Sequence, residues 1–314
     1  MENKMIVSPS PHIKSNVTTR RIMLDVIIAL IPACIASVVI FGFRSLMVIG
    51  VCIVSCVLSE YIARKIMKRN TTIGDLSAVV TGILLALNLP VTINPLIAIF
   101  GSIVAIVVVK QMFGGIGMNF VNPAIAARIV LLVSFPKQMM TWVQPFFYKG
   151  GLDSITCATP LSKTPDPVSY ADLLFGVHGG CLGETCIIAL LIGGIYLIVR
   201  KVIFAPIPII YIGIVFLFSL VLGLDPIYQI LSGGLILGAF FMATDYTTTP
   251  FTPTGKIIFA FGCGIFTVLL RNFSNMPEGV SFSIIIMNIL SPLIDRITIM
   301  KPYGYIKEKK GESK

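Results

Sequence analysis

The sequence has little charge. Only 12% of its 314 residues are charged, while 56% are hydrophobic and the mean hydropathy is +0.94. Soluble globular domains carry about 25% charged residues. This scarcity excludes an ordinary soluble domain. It predicts an integral membrane protein whose apolar runs of roughly 20 residues span the bilayer as helices.

Metal-binding residues are also scarce. The chain has two histidines and seven cysteines, and no two cysteines have the spacing C-x-x-C. This argues against an iron–sulfur centre held by closely spaced thiolates. Two histidines are too few for a metal site of their own. The sequence therefore predicts no metal site and no catalytic residue in this chain alone.

Ten apolar segments are candidates for membrane-spanning helices, which predicts an all-α integral membrane protein. Several are only about 16 residues long and are interrupted by glycine or proline, which is tolerated where the backbone faces protein or a cavity rather than lipid. The runs are too long for membrane β-strands of about 9–11 residues and lack strict alternation. No apolar core precedes Ile22, so no cleavable signal peptide is expected. The ten segments are residues 22–43, 45–63, 76–91, 93–112, 121–135, 183–199, 205–222, 228–243, 256–270 and 280–297.

The formal net charge is +10, and its distribution predicts the orientation of the chain. Positive residues are retained in cytoplasmic loops. With the N-terminus inside, eighteen of the 24 lysines and arginines are cytoplasmic, while the reverse orientation violates the rule. We therefore expect a multi-pass protein of the cell (cytoplasmic) membrane, with both termini in the cytoplasm and residues 136–182 outside.

The outer loop divides the ten segments into five and five, so the two halves have opposite orientations. The stretch GSIVAIVVVK (101–110) resembles GCGIFTVLLR (262–271). The opposite orientations and this likeness together predict that the two halves are inverted repeats with short or broken spans. Such an architecture is typical of transporters. One alternative function is therefore a solute or ion channel without a redox role. The predicted parts are a cytoplasmic arm (1–21), the first five-helix repeat (22–135), the outer loop (136–182), the second repeat (183–297) and a basic cytoplasmic tail (298–314).

Two polar stretches interrupt the predicted cytoplasmic side. The first stretch, 110–128, reads KQMFGGIGMNFVNPAIAAR, and the second, 242–256, reads MATDYTTTPFTPTGK. Glycines permit close backbone approach, and amide, carboxyl and hydroxyl groups can bind a ring or an ion. The alternatives are a tight turn for the first stretch and a capped threonine-rich loop for the second. The candidate binding residues are Gly114, Gly115, Asn119, Asn122, Asp245, Thr248 and Thr254.

The outer loop holds a third polar stretch, DSITCATPL (153–161). The neighbouring aromatic residues are explained by the membrane interface, but this stretch is not. No carboxylate lies plainly at the centre of a predicted span, where proton relays place them, so a self-sufficient ion pump is not expected. Glu184, at the start of the sixth segment, is the best candidate for contact with an ion or a partner. Arg128 is the only cation in the middle of a predicted span.

Five stretches together resemble one known family, which includes the D subunit of the Rnf electron-transport complex and the B subunit of the sodium-pumping NADH:quinone reductase. The short N-terminal arm favours the Rnf subunit. The stretches follow one another along almost the whole chain, and they are SPSPHIKS (8–15), FGGIGMNFVNPAIAAR (113–128), DSITCATPL (153–161), ATDYTTTPFTPTGK (243–256) and MPEGVSFSIIIMNILSPLIDR (276–296).

The resemblance implies FMN attached through its phosphate to a threonine in the pattern D-x-x-[ST]-x-A-[ST]. In this sequence the pattern falls on Asp153, Thr156, Ala158 and Thr159, with Thr159 as the modified residue. Cys157 stands where the family usually has glycine. The candidates to stack on the flavin ring are Phe146, Phe147, Tyr148 and Tyr170.

The resemblance also implies non-covalent riboflavin in the membrane part of the complex, for which the two cytoplasmic stretches are the candidate sites. It implies a subunit of an ion-translocating ferredoxin:NAD⁺ oxidoreductase that passes electrons across the membrane and is coupled to Na⁺ or H⁺ export. The expected partners are Rnf subunits of the A, B, C, E and G types, a flavin transferase and membrane lipid. Nucleic acid is not expected.

Overall fold

The computed structural model describes residues 17–149, 156–157, 160–161, 168–274 and 279–299, which are almost entirely helical. Two helices continue into π-helical turns: the helix Pro95–Ile103 continues through Val104–Gln111, and the helix Leu235–Leu237 continues through Gly238–Met242. In chain order the helices are α1 (Thr19–Phe41), α2 (Phe43–Ile66), α3 (Ser77–Leu87), α4 (Pro95–Ile103), α5 (Pro123–Ser134), α6 (Pro136–Met139), α7 (Tyr170–Phe175), α8 (Ile187–Val199), α9 (Pro206–Val221), α10 (Pro226–Leu231), α11 (Leu235–Leu237), α12 (Pro253–Phe273) and α13 (Gly279–Thr298).

Four helices are long and apolar enough to cross a membrane: α1, α2, α12 and α13. Shorter apolar helices occupy five more of the predicted segments, and the eighth segment is broken into α10, α11 and a π turn. Large apolar side chains such as Ile31, Ile35 and Val39 are exposed, as expected of a helix face in contact with lipid. The structure therefore confirms an all-α membrane protein, whereas the count of ten complete crossings remains a prediction.

Four helices begin with a capping residue followed by proline, which explains their sharp starts. A side-chain oxygen at the N-cap satisfies an amide of the first turn, and proline at the next position needs no partner for a missing N–H. The four pairs are Asn94–Pro95, Asn122–Pro123, Asp225–Pro226 and Thr252–Pro253.

Corresponding helices pack alike in the two halves. Helix α2 packs against α3 and α4, and α9 packs against α10 and α12. The third segment is short or broken in both halves, and α1 packs against α8 to join them. This recurrence supports the inverted repeat, which remains a prediction.

The chain enters α8 through a non-helical segment, residues 180–186, that lies against the end of α3. The Leu182 N–H donates to the Leu89 carbonyl at 3.1 Å, and the Gly183 N–H donates to the Leu87 carbonyl at 2.7 Å. These carbonyls lie at the end of a helix and lack partners within it. Helix α8, which corresponds to the sixth predicted segment, consequently begins at Ile187 and not at residue 183, where the sequence predicted its start.

The described parts of the predicted outer loop contain short elements. Strand β1 (Trp142–Val143) pairs antiparallel with β2 (Thr156–Cys157), and a 3₁₀ turn spans Phe147–Lys149. Helices α6 and α7 lie on either side of these elements in the sequence. The ladder fixes the backbone at residue 157, two residues before Thr159.

Candidate functional site

The two polar stretches on the predicted cytoplasmic side meet in space. The Asn119 side-chain amide donates to the Thr247 hydroxyl and to the Val121 carbonyl, both at 3.1 Å. The Asn122 amide donates to the Met242 carbonyl at 3.5 Å, while its oxygen caps α5. The stretches are 120 or more residues apart in the sequence, and side chains of the first half bind the loop that follows the π turn of the second.

A cleft of about 780 Å³, part of it open to solvent, lies where these stretches meet. Its walls are mainly apolar, with Phe240 and Phe241 on one side and a few polar groups. The polar side chains in the wall are Ser77, Thr81, Lys110, Asn119, Asn122, Thr244, Asp245, Tyr246 and Thr247.

Of the predicted binding residues, Asn119, Asn122 and Asp245 line the cleft and four others lie outside its described walls. Gly114 and Gly115 form the turn before it, and a Cβ on Gly115 would collide with the Arg64 guanidinium. Thr248 is buried but does not line the cleft. Thr254 lies in the first turn of α12, and the N-cap of that helix is Thr252. Close packing accounts for glycine at position 115, and the binding role of the two glycines stays a prediction.

Asp245 is held by its own loop. Its Oδ1 accepts from the Thr247 N–H at 3.2 Å, and both carboxylate oxygens lie 3.1 Å from the Thr247 hydroxyl. Desolvation by burial raises the pKa of Asp245, and the bonds from Thr247 partly oppose it. The pKa of Tyr246 rises to about 12 because of burial and the nearby carboxylates Asp245 and Asp75. The wall thus presents a carboxyl group whose charge costs more free energy than usual.

A buried ion pair next to the cleft was not predicted from the sequence. The Lys110 ammonium lies 3.2 Å from both Glu60 oxygens and donates to the Ser77 hydroxyl at 2.7 Å. Glu60 also accepts from Gln111 and Thr72, each at 2.8 Å. The side chains of Lys110 and Glu60 are only 4% and 1% exposed. Burial of such a pair requires these extra hydrogen bonds. The identities of the two residues gave no sign that they would meet.

Glu184, the predicted ion or partner contact, pairs with Arg128 at 3.0 Å, and both side chains are buried. Arg128 also donates to the Asn88 side chain and contacts the Cys181 sulfur at 3.3 Å. The pair links α5 to the non-helical entry of α8 and to the end of α3. One oxygen of Glu184 is thus occupied by a protein cation. Its proposed contact with an ion or partner stays a prediction.

A second cavity of about 470 Å³, part of it open to solvent, lies next to this pair on the predicted outer side. Two arginines and a glutamate line it, together with an aromatic ring and a backbone segment of two glycines. Burial lowers the pKa of His178 in its wall, which favours the neutral imidazole. Its lining residues include Arg128, Trp142, Pro160, Leu161, His178, Glu184, Gly233, Gly234 and Arg271.

The four aromatic residues predicted to stack on a flavin, Phe146, Phe147, Tyr148 and Tyr170, lie outside the described walls of both cavities, and the stacking stays a prediction. The Tyr148 hydroxyl donates to the Val39 carbonyl at 2.9 Å, and the Phe146 N–H donates to the Ile40 carbonyl. Tyr170 donates to Asp225. Trp142, interpreted from the sequence as a membrane-interface residue, is the aromatic residue that lines the cavity beside Pro160. Asp153, Ala158 and Thr159 are outside the described residues, and of Thr156 only the backbone is described.

These features define a multi-pass helical membrane protein with a mainly apolar cleft between its halves and a second, arginine-lined cavity. The chain belongs to the NQR2, RnfD, RnfE family, whose sequence model matches residues 6–304. This confirms the resemblance seen in the five stretches.

Relatives named as D subunits of ion-translocating complexes cover nearly the whole chain. The D subunit of the Na⁺-translocating ferredoxin:NAD⁺ oxidoreductase complex of Acetobacterium woodii is 46% identical over 98% of both chains. The D subunit of the proton-translocating ferredoxin:NAD⁺ oxidoreductase complex of Clostridium ljungdahlii is 39% identical, covering 96% of this chain and 97% of the relative. The D subunit of the ion-translocating oxidoreductase complex of Stutzerimonas stutzeri is 35% identical, covering 90% and 92%.

Proposed function

We propose that this chain is the D subunit of an ion-translocating ferredoxin:NAD⁺ oxidoreductase complex of the Rnf type. The observation that carries the proposal is 46% identity to a relative of that name over 98% of both chains. The partners are then the other subunits of the complex, and the reaction belongs to the complex. The names of the relatives include both Na⁺ and H⁺, and the proposed role covers export of either ion.

We further propose that Thr159 carries FMN through a phosphoester bond formed by a flavin transferase. The support is the sequence DSITCAT, in which Asp153, Thr156 and Ala158 stand at the positions of the attachment pattern. The flavin supplies the electron chemistry, and the chain positions it. A covalent tether keeps it at a fixed effective concentration beside the next carrier. The positive-inside distribution favours a location of this loop outside the cytoplasm.

The cleft between the two halves is the proposed site for non-covalent riboflavin. Its apolar walls with Phe240 and Phe241 suit an aromatic ring system, while Asn119 and Asn122 can fix the orientation of ring heteroatoms. Asp245 is positioned to accept from a ring N–H or a ribityl hydroxyl. The support is the chemistry of the lining residues.

Fluorescence of the denatured chain tests the covalent attachment. We expect a fluorescent flavin band in a denaturing gel, and an intact mass increased by one FMN less water, when the full chain is expressed with its flavin transferase. Thr159→Ala should abolish both signals. Thr164→Ala is the matched control because Thr164 is also followed by proline in the same loop, and it should retain them.

The alternatives give different results. A wild-type chain without fluorescence after co-expression with the transferase would refute the attachment and favour the channel or transporter. Electron transfer that survives Thr159→Ala in the assembled complex would instead indicate a structural scaffold. The orientation is tested with Lys149→Cys and Lys309→Cys in a background without accessible native cysteines. An impermeant thiol reagent should label position 149 in intact cells and position 309 only after permeabilisation.

A further inference from the structure

An apolar groove runs along the line of contact between α2 and α4. It has two parts, each partly open at the surface: an outer part of about 760 Å³ towards the start of α2, and an inner part of about 850 Å³ towards its end. Val51 lines both parts, so they meet near the middle of the helix. Helix α2 packs against α4 and against the π turn that continues it. The groove therefore follows this helix pair along most of the length of α2.

The surface of the groove is mainly apolar. Leu58 and Ile62 are exposed in the wall of the inner part. Gly50 leaves space in the same wall, because a Cβ there would meet no other atom within 4 Å. The Ser55 hydroxyl is satisfied within its own helix, where it donates to the Val51 carbonyl at 2.6 Å. Such a surface suits hydrocarbon, and an acyl chain in the groove would contact both helices at once.

A cation lies at each end of the groove. Arg44 is exposed, lines the outer part and donates to the Thr92 carbonyl at 3.2 Å. Lys65 is exposed and follows Leu58 by two helical turns on the same face. Between Arg44 and Lys65 the helix rises about 32 Å, close to the ~30 Å thickness of the hydrocarbon core. Their long side chains therefore reach the two headgroup layers. Neither part of the groove has an acidic residue in its described walls.

A phospholipid fits this arrangement better than a helix of another subunit. A helix with its side chains is about 10–12 Å across. Because α2 and α4 are in contact, a further helix would lie over the groove and leave its floor empty, whereas an acyl chain can enter it. A phospholipid also places its phosphate at the edge of the hydrocarbon core, at the level of the cation. The charge at both ends of the groove is thus matched by one lipid in each leaflet.

We propose that the groove between α2 and α4 binds anionic phospholipid, one molecule in each leaflet. An acyl chain lies in each part of the groove, and the headgroup phosphate contacts Arg44 on the outer side and Lys65 on the inner side. A zwitterionic headgroup brings a positive group that these cations repel, so the site selects a headgroup with net negative charge. The proposal is independent of the flavin attachment and of the redox role.

The test counts bound lipid on the full-length chain. Protein stripped of lipid in detergent is titrated with dioleoylphosphatidylglycerol or dioleoylphosphatidylcholine, and native mass spectrometry counts the molecules retained. We expect two molecules of the anionic lipid, each bound about fivefold more tightly than the zwitterionic lipid, as one cation near the membrane surface allows. Arg44→Gln and Lys65→Gln should each abolish this preference for one of the two molecules. Lys137→Gln and Lys201→Gln are the controls, because both cations are exposed and lie outside the described walls of the groove.

A second pair of variants tests the groove and leaves the charge unchanged. Gly50→Leu places a side chain in the inner part, and it should reduce the retained anionic lipid from two molecules to one. Gly213→Leu is the matched control in α9, since a Cβ at either glycine meets no other atom within 4 Å. Both variants should therefore fold, and Gly213→Leu should retain two molecules.

Several results would overturn the proposal. One is equal affinity of the wild-type chain for the two lipids. Another is a loss of affinity in Lys137→Gln and Lys201→Gln as large as in Arg44→Gln and Lys65→Gln, which would show attraction to the general positive charge. If Gly50→Cys forms a crosslink to another subunit in the assembled complex, and that complex retains no anionic lipid, the groove is a protein interface. If Gly50→Leu does not fold, the two glutamine variants decide, because an unchanged preference in both contradicts the proposed contacts.

Discussion

Removal of the Glu184 charge should destabilise the protein strongly. Glu184 is the described carboxylate that pairs with Arg128, and both side chains are less than a tenth exposed. Glu184→Ala removes the described carboxylate partner of the buried Arg128 guanidinium, which keeps its contacts with the Asn88 side chain and the Cys181 sulfur. Breaking a buried pair in this way costs about 3–5 kcal/mol. At about 1.4 kcal/mol per factor of ten, the ratio of folded to unfolded protein should fall more than a hundredfold.

The matched control is the pair formed by Asp25 and Arg200. Its atoms are 3.2 Å apart, close to the distance in the Arg128 pair, but the Arg200 side chain is 41% exposed. Solvent screens the Arg200 end of this pair, while the Asp25 side chain is 10% exposed and also accepts from the Tyr196 hydroxyl at 3.1 Å. Asp25→Ala should therefore cost less than Glu184→Ala. The assay heats each variant in the same detergent and uses size-exclusion chromatography to measure how much monodisperse protein remains. Equal losses in Glu184→Ala and Asp25→Ala would refute the reasoning.

A double variant separates the charge from the packing. Arg128→Met combined with Glu184→Met removes both charges at similar volume, and replacement of a buried pair by apolar residues is often close to neutral. The Asn88 side chain then loses one partner, so a moderate cost remains. The double variant should therefore lose less stability than the sum of the two single variants. Additive losses would show that the two residues act independently.

Three further changes test other parts of the structure. Asn119→Ala removes two hydrogen bonds, one of which joins the halves. The purified variant should contain at most half of the wild-type amount of acid-extractable flavin, whereas Thr254→Ala should keep the wild-type amount. Equal flavin contents in the two variants would argue against the cleft as the site. Gly193→Val should reduce stability by about 3 kcal/mol, since a Cβ there collides with a backbone carbonyl of α1 that cannot move aside; a wild-type melting midpoint would contradict this packing. The hydrogen bond between Tyr170 and Asp225 raises the pKa of the tyrosine and lowers the pKa of the carboxyl group. The bond therefore stabilises the folded protein at pH values between these two pKa values. The stabilisation is lost as the pH rises through the raised pKa of Tyr170 or falls through the lowered pKa of Asp225. The absorbance titration of wild type minus Tyr170→Phe should show this tyrosine ionising above about 10, and Asp225→Asn should return it towards that value.

Much of the fold follows from the sequence because its signals are local. Apolar runs locate the helices, and pairs such as Asn122–Pro123 and Thr252–Pro253 mark their starts. The polar stretches were also recognisable, since each interrupts long apolar runs with clustered glycines and amides or with clustered threonines. Their meeting through Asn119 and Thr247 was consistent with the predicted repeat, but the sequence did not specify that contact.

The remaining features depend on contacts between distant residues. Glu184 was placed at the start of a helix because the apolar pattern begins there, yet hydrogen bonds to the end of α3 hold residues 182 and 183 in a non-helical conformation. The distance from Glu60 to Lys110 follows from packing of α2 against the π turn that continues α4. Neither π turn has a recognisable sequence signal. Gly114 and Gly115 were predicted as binding residues, and the sequence did not reveal that Arg64 would lie against Gly115; their binding role stays a prediction.

The non-helical entry to α8 has a consequence for how the protein is made. The amides of Leu182 and Gly183 are satisfied by carbonyls of Leu89 and Leu87, which leave the ribosome more than ninety residues earlier. In hydrocarbon an unsatisfied amide costs several kcal/mol. The entry to α8 therefore completes these hydrogen bonds only when the end of α3 is in place. We expect a disrupted end of α3 to appear as a misplaced entry to α8.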